Sequence, residues 1–268
     1  MRIACKTQHT AEWMQARTGI WTGSRAADGS QRLTRASKNG VKGDWGGKHW
    51  AYVEELAWEQ ITGVAADHYV SKPMEIGTQY EGEARVEFWM RYGAEVEETG
   101  LVLHPTLNYL GASPDGYVME NGIAIPIELK VPLAKTHQQY LGEGVVPEIY
   151  VPQLMTEMLC CDRAPYGYFA SYCPPDIFPA LPDHMRMFRV KLMADESKFA
   201  EIEEAATATM EHVVERVAKL RAMYPEKGAP KSKFRAELET SVLAQEFSEE
   251  DAFNAAMETV TSGPGLVP

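Results

Sequence analysis

Residues Gly111–Pro132 read GASPDGYVMENGIAIPIELKVP. An Asp stands in a Pro-Asp-Gly turn, a Glu follows thirteen residues later and a Lys two residues after that: Asp115, Glu128 and Lys130. Within IPIELKV the aliphatic Ile127, Leu129 and Val131 alternate with Glu128 and Lys130. Successive side chains of a strand point to opposite faces, so the Glu and the Lys share one face and are neighbours. Two carboxylates converging with a backbone carbonyl between them form a hard oxygen set suited to magnesium or manganese. A lysine beside such an ion stabilises charge developing on a phosphoryl oxygen, or helps to position and deprotonate the attacking water. The spacing reads as phosphodiester hydrolysis, and equally as a cross-strand ion pair in which Asp115 only supports its turn.

The chain has 268 residues, 45% of them hydrophobic, enough for one large domain with a tail. No run of about eighteen apolar residues occurs and MRIACKTQHTAEWMQ has no apolar signal segment, so a soluble cytoplasmic protein without a membrane partner is expected. Cys5, Cys160, Cys161 and Cys173 form no C-x-x-C pair, which leaves reduced, buried thiols. A net charge of -12 argues against a polyanionic partner, but its distribution is uneven. Residues 1–50 carry nine Lys or Arg against three acids, a balance of +6 that leaves -18 on the rest. Such segregation fits a nucleic-acid groove, and also a solvated basic loop.

The pattern predicts a short helix over AEWMQARTG, a second one capped by Ser24, and a glycine-rich basic loop from Gly29 to Gly47. Longer helices are expected over Lys48–Ile61 and Met74–Arg91. Residues 95–131 change to short strands, read as an antiparallel meander. Helices near Leu133–Leu141 and from Pro152 through Met158, strands YGYFASY and MRMFRVKL, and a long helix from Asp195 to Met223 follow. This order gives an α/β or α+β fold, a central mixed sheet flanked by helices. Residues 225–268 read as an acidic tail, partly ordered, with one helix near 249–259. Trp45, Trp50 and Trp58 flank the basic loop, as core residues or as platforms for unpaired bases.

SPDG followed by IELK matches the signature of the PD-(D/E)xK nucleases, and the surrounding chain resembles their lambda exonuclease family, the YqaJ-like viral alkaline exonucleases. Further blocks carry the likeness: Trp13, Arg17, Gly19, Thr22 and Ser24; then Gly77, Tyr80, Glu81, Ala84 and Arg85; then E-L-K-x-P, a helix bearing Gln153, and YFASY. They span roughly residues 10–223. The resemblance implies an exonuclease domain over 1–224, with its nuclease core at about 74–192. It makes Asp115 and Glu128 metal ligands, with the Leu129 carbonyl as a main-chain ligand, and Lys130 the catalytic lysine. Glu81 would hold a metal-bound water and Gln153 would stand beside the site. Arg17, Ser24 and Ser113 would hold the 5′-phosphate of the digested strand, as a guanidinium with two hydroxyls can. The family's Arg beyond E-L-K-x-P has no counterpart in LAKTHQQ, which leaves Lys135 or His137 to serve. His104 lies where some members supply an additional site residue, although a strand histidine is commonly structural.

The activity so implied is a 5′-to-3′ exonuclease on double-stranded DNA ends using two Mg2+ ions, with Mn2+ as a substitute. It would release mononucleotides and leave 3′ overhangs for recombination. A homotrimer ring, a single-strand annealing recombinase as partner, and a phage or prophage gene expressed in a bacterial cytoplasm follow from the same likeness. Two other readings stand beside it: another PD-(D/E)xK nuclease, endonuclease or repair enzyme, and a catalytically silent module that binds DNA ends.

Overall fold

The structure, a computed structural model, describes residues 1–36, 38, 40–66 and 72–225. The tail beyond residue 225, with the helix expected near 249–259, lies outside the described residues. The chain opens with β1 (Arg2–Ile3), α1 (Ala11–Arg17) and β2 (Trp21–Thr22), then a 3-10 turn (Gly23–Arg25) and α2 (Ala26–Gly29). Two longer helices follow, α3 (Gly47–Thr62) and α4 (Lys72–Tyr92). Next come β3 (Val102–Leu103), β4 (Leu110–Ala112), β5 (Gly116–Glu120) and β6 (Ile123–Lys130). The last part holds α5 (Ala134–Glu143), α6 (Val151–Cys160), β7 (Tyr166–Tyr172), β8 (Met187–Met193) and α7 (Glu196–Met223).

Local chemistry explains several of these boundaries. Thr10 starts α1, its hydroxyl accepting the Trp13 N–H at 3.1 Å, and Asp195 starts α7 by accepting from Ser197 and Lys198. Pro152 stands in the first turn of α6, where no helical N–H is needed. Ser24 does not cap the second helix. Arg25 holds the cap position of α2 without a side-chain bond, and the Ser24 hydroxyl lies 3.4 Å from Arg17 instead.

The expected meander is split between two four-stranded sheets, ordered β1-β3-β4-β2 and β5-β6-β7-β8. β3 and β4 pair antiparallel in the first, β5 and β6 in the second. The break falls at Ser113–Asp115, where Pro114 has no N–H to extend a ladder. β6 then pairs in parallel with β7, Glu128 opposite Phe169 and Lys130 opposite Ser171, and α5 and α6 form the crossover that a parallel pair requires. Helix α6 packs on β4, β6 and β7, so it spans both sheets; α4 lies on β6 and β8, and α7 on α3 and α6. Ile125, Ile127, Leu129, Leu154, Met158 and Phe169 belong to the shared core. All four cysteines are buried and unpaired, as expected. Among the described residues no helix is long and apolar enough to cross a membrane.

Candidate active site

Strand β6 presents Glu128 and Lys130 together, and the turn between β4 and β5 brings in Asp115. Lys130 Nζ pairs with Glu128 Oε1 and lies 3.6 Å from Asp115 Oδ2. Asp115 Oδ2 also accepts the Leu129 N–H at 2.7 Å, which pins the turn to the strand. Glu128 is fully buried, and burial pushes its carboxyl up to about 7, with Lys130 pulling down and Asp115 pushing up. Burial also works against the Lys130 charge, but Asp115 and Glu128 outweigh it and hold the ammonium well above its ordinary value. One fixed cation therefore faces two carboxylates.

Helix α6 closes the Glu128 face. Gln153 Nε2 donates to Glu128 Oε2 at 2.8 Å and to Glu157 Oε1 at 3.2 Å. Glu157 is buried, and that burial, reinforced by Glu128, raises its pKa well above its ordinary value. The sequence reading missed Glu157. Its spacing of four from Gln153, on one helix face, was the available signal. On α4, Glu81 pairs with Arg85 one turn on, and burial followed by the Asp115 charge raises its pKa. Arg85 further reaches Glu98 at 2.8 Å and donates to the Asp115 carbonyl at 3.3 Å, a second role missed at the sequence level.

Among the described residues no three His, Cys, Asp or Glu side chains already stand in metal-binding geometry. The fit to a divalent ion rests on the Asp115–Glu128 pair. Its hard oxygens meet at a cationic group, and buried Glu128 Oε1 has the Lys130 ammonium as its partner. Excess negative charge beside one ammonium is an environment that a second cation relieves.

A clamp-like group stands next to this centre. The Arg17 guanidinium lies 4.3 Å from the centroid of the Trp13 ring and 3.4 Å from Ser24 Oγ, while Trp13 Nε1 donates to Ser113 Oγ at 2.9 Å. Ser113 precedes Asp115 by two residues, so Trp13 ties Arg17 to the Asp115 turn. Burial lowers the Arg17 pKa, with Tyr52 and Glu59 opposing that shift. Among the described residues no carboxylate lies within ion-pair distance of Arg17. By contrast, Arg25 pairs with Asp28 and Glu55, Arg32 with Glu204, and Lys48 with Asp28. Three of the nine basic residues in 1–50 are therefore paired with carboxylates, whereas Arg17 is a cation open to an anion.

The remaining candidates separate clearly. His137 is buried, one ring nitrogen 2.8 Å from Ser171 Oγ and the other 2.8 Å from the Met185 carbonyl, so it has no nitrogen left for a phosphate. Lys135 is exposed near the start of α5. His104 is structural: its Nδ1 accepts the backbone N–H groups of Thr106 and Leu107, and its Nε2 meets Glu203 at 3.1 Å. Trp50 and Trp58 are about half exposed, and Trp45 stacks on His49 at 4.2 Å, so none of the three is a core residue.

Comparison with known proteins places this geometry. Residues 12–164 match the model of the YqaJ-like viral recombinase domain. An alkaline exonuclease of Laribacter hongkongensis, LHK-Exo, is 30% identical over 80% of this chain and 97% of its own, with a TM-score of 0.66. The same enzyme solved in complex with dAMP is 31% identical over the same shares, also with a TM-score of 0.66. A phage-related exonuclease from Haemophilus somnus 129PT shares the fold, at 14% identity over 75% of this chain and 96% of its own and a TM-score of 0.58. No curated protein matches. The chain belongs to the YqaJ-like viral recombinase family, and so to the recombination nucleases that share the alkaline-exonuclease fold.

Proposed function

We propose that the protein is a divalent-metal-dependent exonuclease that digests one strand of duplex DNA from its 5′ end, releasing mononucleotides and leaving a 3′ overhang for single-strand annealing. The observation that carries this reading is the tie through Trp13 and Ser113, which sets Arg17 beside the Asp115–Glu128–Lys130 centre. An anion clamp next to a hydrolytic centre gives direction, because the terminal phosphate is held while the neighbouring ester is cut. Lys130 contributes a fixed positive charge to the phosphoryl oxygens. Gln153, which also donates to Glu157, holds Glu128 in place. Arg85 keeps Glu81 next to Asp115. Asp115, Glu128, the Leu129 carbonyl and Glu81 would hold two Mg2+ or Mn2+ ions, which supply water activation and neutralise the leaving oxygen.

Arg17, Ser24 and Ser113 take the 5′-phosphate, with exposed Lys135 completing the pocket where His137 is already engaged. A domain over 1–224, a homotrimer ring, an annealing recombinase as partner and a phage or prophage gene acting in a bacterial cytoplasm belong to the same proposal.

The test is linear duplex DNA labelled separately at each 5′ and 3′ end, with and without a 5′-phosphate, in magnesium or in EDTA. Release of the 5′ label first, faster with the phosphate and abolished by EDTA, is expected. Release of the 3′ label first, or hydrolysis in EDTA, overturns the reading, and cleavage of closed circular DNA points to an endonuclease instead.

A further inference from the structure

The centre has a second wall that no catalytic motif includes. A cavity of about 180 Å3 is bounded by Thr7, Gln8 and His9 of the N-terminal segment on one side, and by Glu81, Arg85 and Asp115 on the other. This segment is held firmly in place. The Gln8 amide donates to the Thr99 carbonyl at 3.1 Å and to the Pro114 carbonyl at 2.8 Å, and the Ala4 N–H donates to the Leu101 carbonyl at 2.8 Å. Gly100 lies so close beneath it that a Cβ there would come within 2.6 Å of the Cys5 carbonyl and 2.9 Å of the Thr7 nitrogen.

His9 has φ +60°, in the left-handed region that residues with a Cβ seldom enter. Helix α1 does not require this of it, since the adjacent Thr10 supplies the cap. The His9 ring is exposed, tilted against Trp13 at 5.2 Å. Trp13 is also the residue that faces Arg17 and bonds Ser113. A solvent-facing imidazole on a strained residue of an anchored segment therefore packs on Trp13 and lines the cavity beside Asp115, and strain of this kind collects where a side chain must be presented.

We propose that His9 is a substrate-contacting residue that grips the 5′-terminal nucleotide, donating a hydrogen bond from its imidazole to a phosphate oxygen of that nucleotide. The ligand class is a nucleoside 5′-monophosphate unit, free or at a DNA end. The proposal rests on the reading of the clamp and centre given above.

His9→Gly is the informative variant, because glycine accepts the left-handed turn and the fold keeps its anchors. His9→Asn retains a side-chain donor and tolerates the same backbone. Two readouts separate the proposal from the reading beneath it: dAMP affinity measured by calorimetry in EDTA, and KM and kcat on 5′-phosphorylated linear duplex in magnesium. His9→Gly should weaken dAMP binding and raise KM, each by about tenfold, with kcat within about twofold, and His9→Asn should recover part of the loss. Unchanged dAMP affinity and KM in His9→Gly, or no dAMP binding by the wild-type protein, overturns the role of His9. Absence of DNA hydrolysis by the wild-type protein instead defeats the nuclease reading, and the dAMP measurement still reports on His9.

Discussion

The two sheets of this protein place functional groups by different means. In the β5-β6-β7-β8 sheet the strands are five to eight residues long, and ladder pairing sets the face that Glu128 and Lys130 share, to which Gln153 adds a side-chain bond. In the β1-β3-β4-β2 sheet the strands have two or three residues, too few to fix a side chain by ladder pairing. The clamp on that side is positioned by side chains that bond to backbone. Glu59 accepts the Gly19 N–H at 2.7 Å, Gln60 donates to the Gly19 carbonyl at 3.1 Å, and the Tyr52 hydroxyl accepts the Thr22 N–H at 2.9 Å. Gly19 itself has φ +75°, and a Cβ there would come within 2.9 Å of Gln60 Cγ. The first design tolerates loss of a polar group and keeps its geometry; the second loses geometry when a remote polar group is lost.

Lys130→Ala breaks this comparison at its strongest point. Hydrolysis should fall by about 1,000-fold or more while the protein still unfolds in one cooperative transition, because pairing with β7 still sets the strand. Endpoint nuclease assays and thermal melts check this, and retention of full activity would remove Lys130 from the centre.

Glu59→Ala should behave the opposite way. It leaves the Gly19 and Ala66 N–H groups without their acceptor, at about 1–3 kcal/mol for each group left buried, so urea unfolding should shift clearly. The preference for a 5′-phosphate should weaken although Glu59 touches no substrate. An unchanged preference would show that the clamp does not depend on its scaffold.

The smallest effect is in acid, where each sheet has a buried histidine: His137 against Ser171 of β7, and His104 beside β3 against Glu203 of α7. Burial lowers both pKa values below the ordinary 6.5. The unfolded chain then takes up protons first, so stability is complete above pH 6.5 and falls below it, by up to about 1.4 kcal/mol per pH unit for each histidine. His137→Asn and His104→Asn should each flatten that slope in urea titrations, and a slope unchanged in both would place the acid sensitivity elsewhere.

The grouping of Glu128 with Lys130 was legible in the sequence because its logic is local. The alternation in IPIELKV puts Glu128 and Lys130 on one face without reference to the rest of the chain, and the long helix begins at Asp195 as its sequence suggests. Ser24 was misread because a hydroxyl before a run of small residues is a cap by local rules, whereas Arg17, seven residues earlier, draws it away. The meander was misread for a related reason: antiparallel pairing of β3 with β4 and of β5 with β6 is local, but the sheet that each hairpin joins depends on distant β1 and β7. Glu157 and Arg85 have ordinary helix positions, and what distinguishes them is the element they face.

By itself the sequence determined the mixed α/β class, the order of its elements and the chemical identity of the central carboxylates and lysine, since periodicity and side-chain chemistry are properties of short segments. Only the tertiary structure decided the two-sheet division, the engagement of His137 and His104, the pairing of Arg25, Arg32 and Lys48 with carboxylates, and the placing of His9 and Glu157 beside the central carboxylates. Each of those outcomes is a contact across many residues of chain, and burial and pairing at such contacts are set by packing of the whole fold.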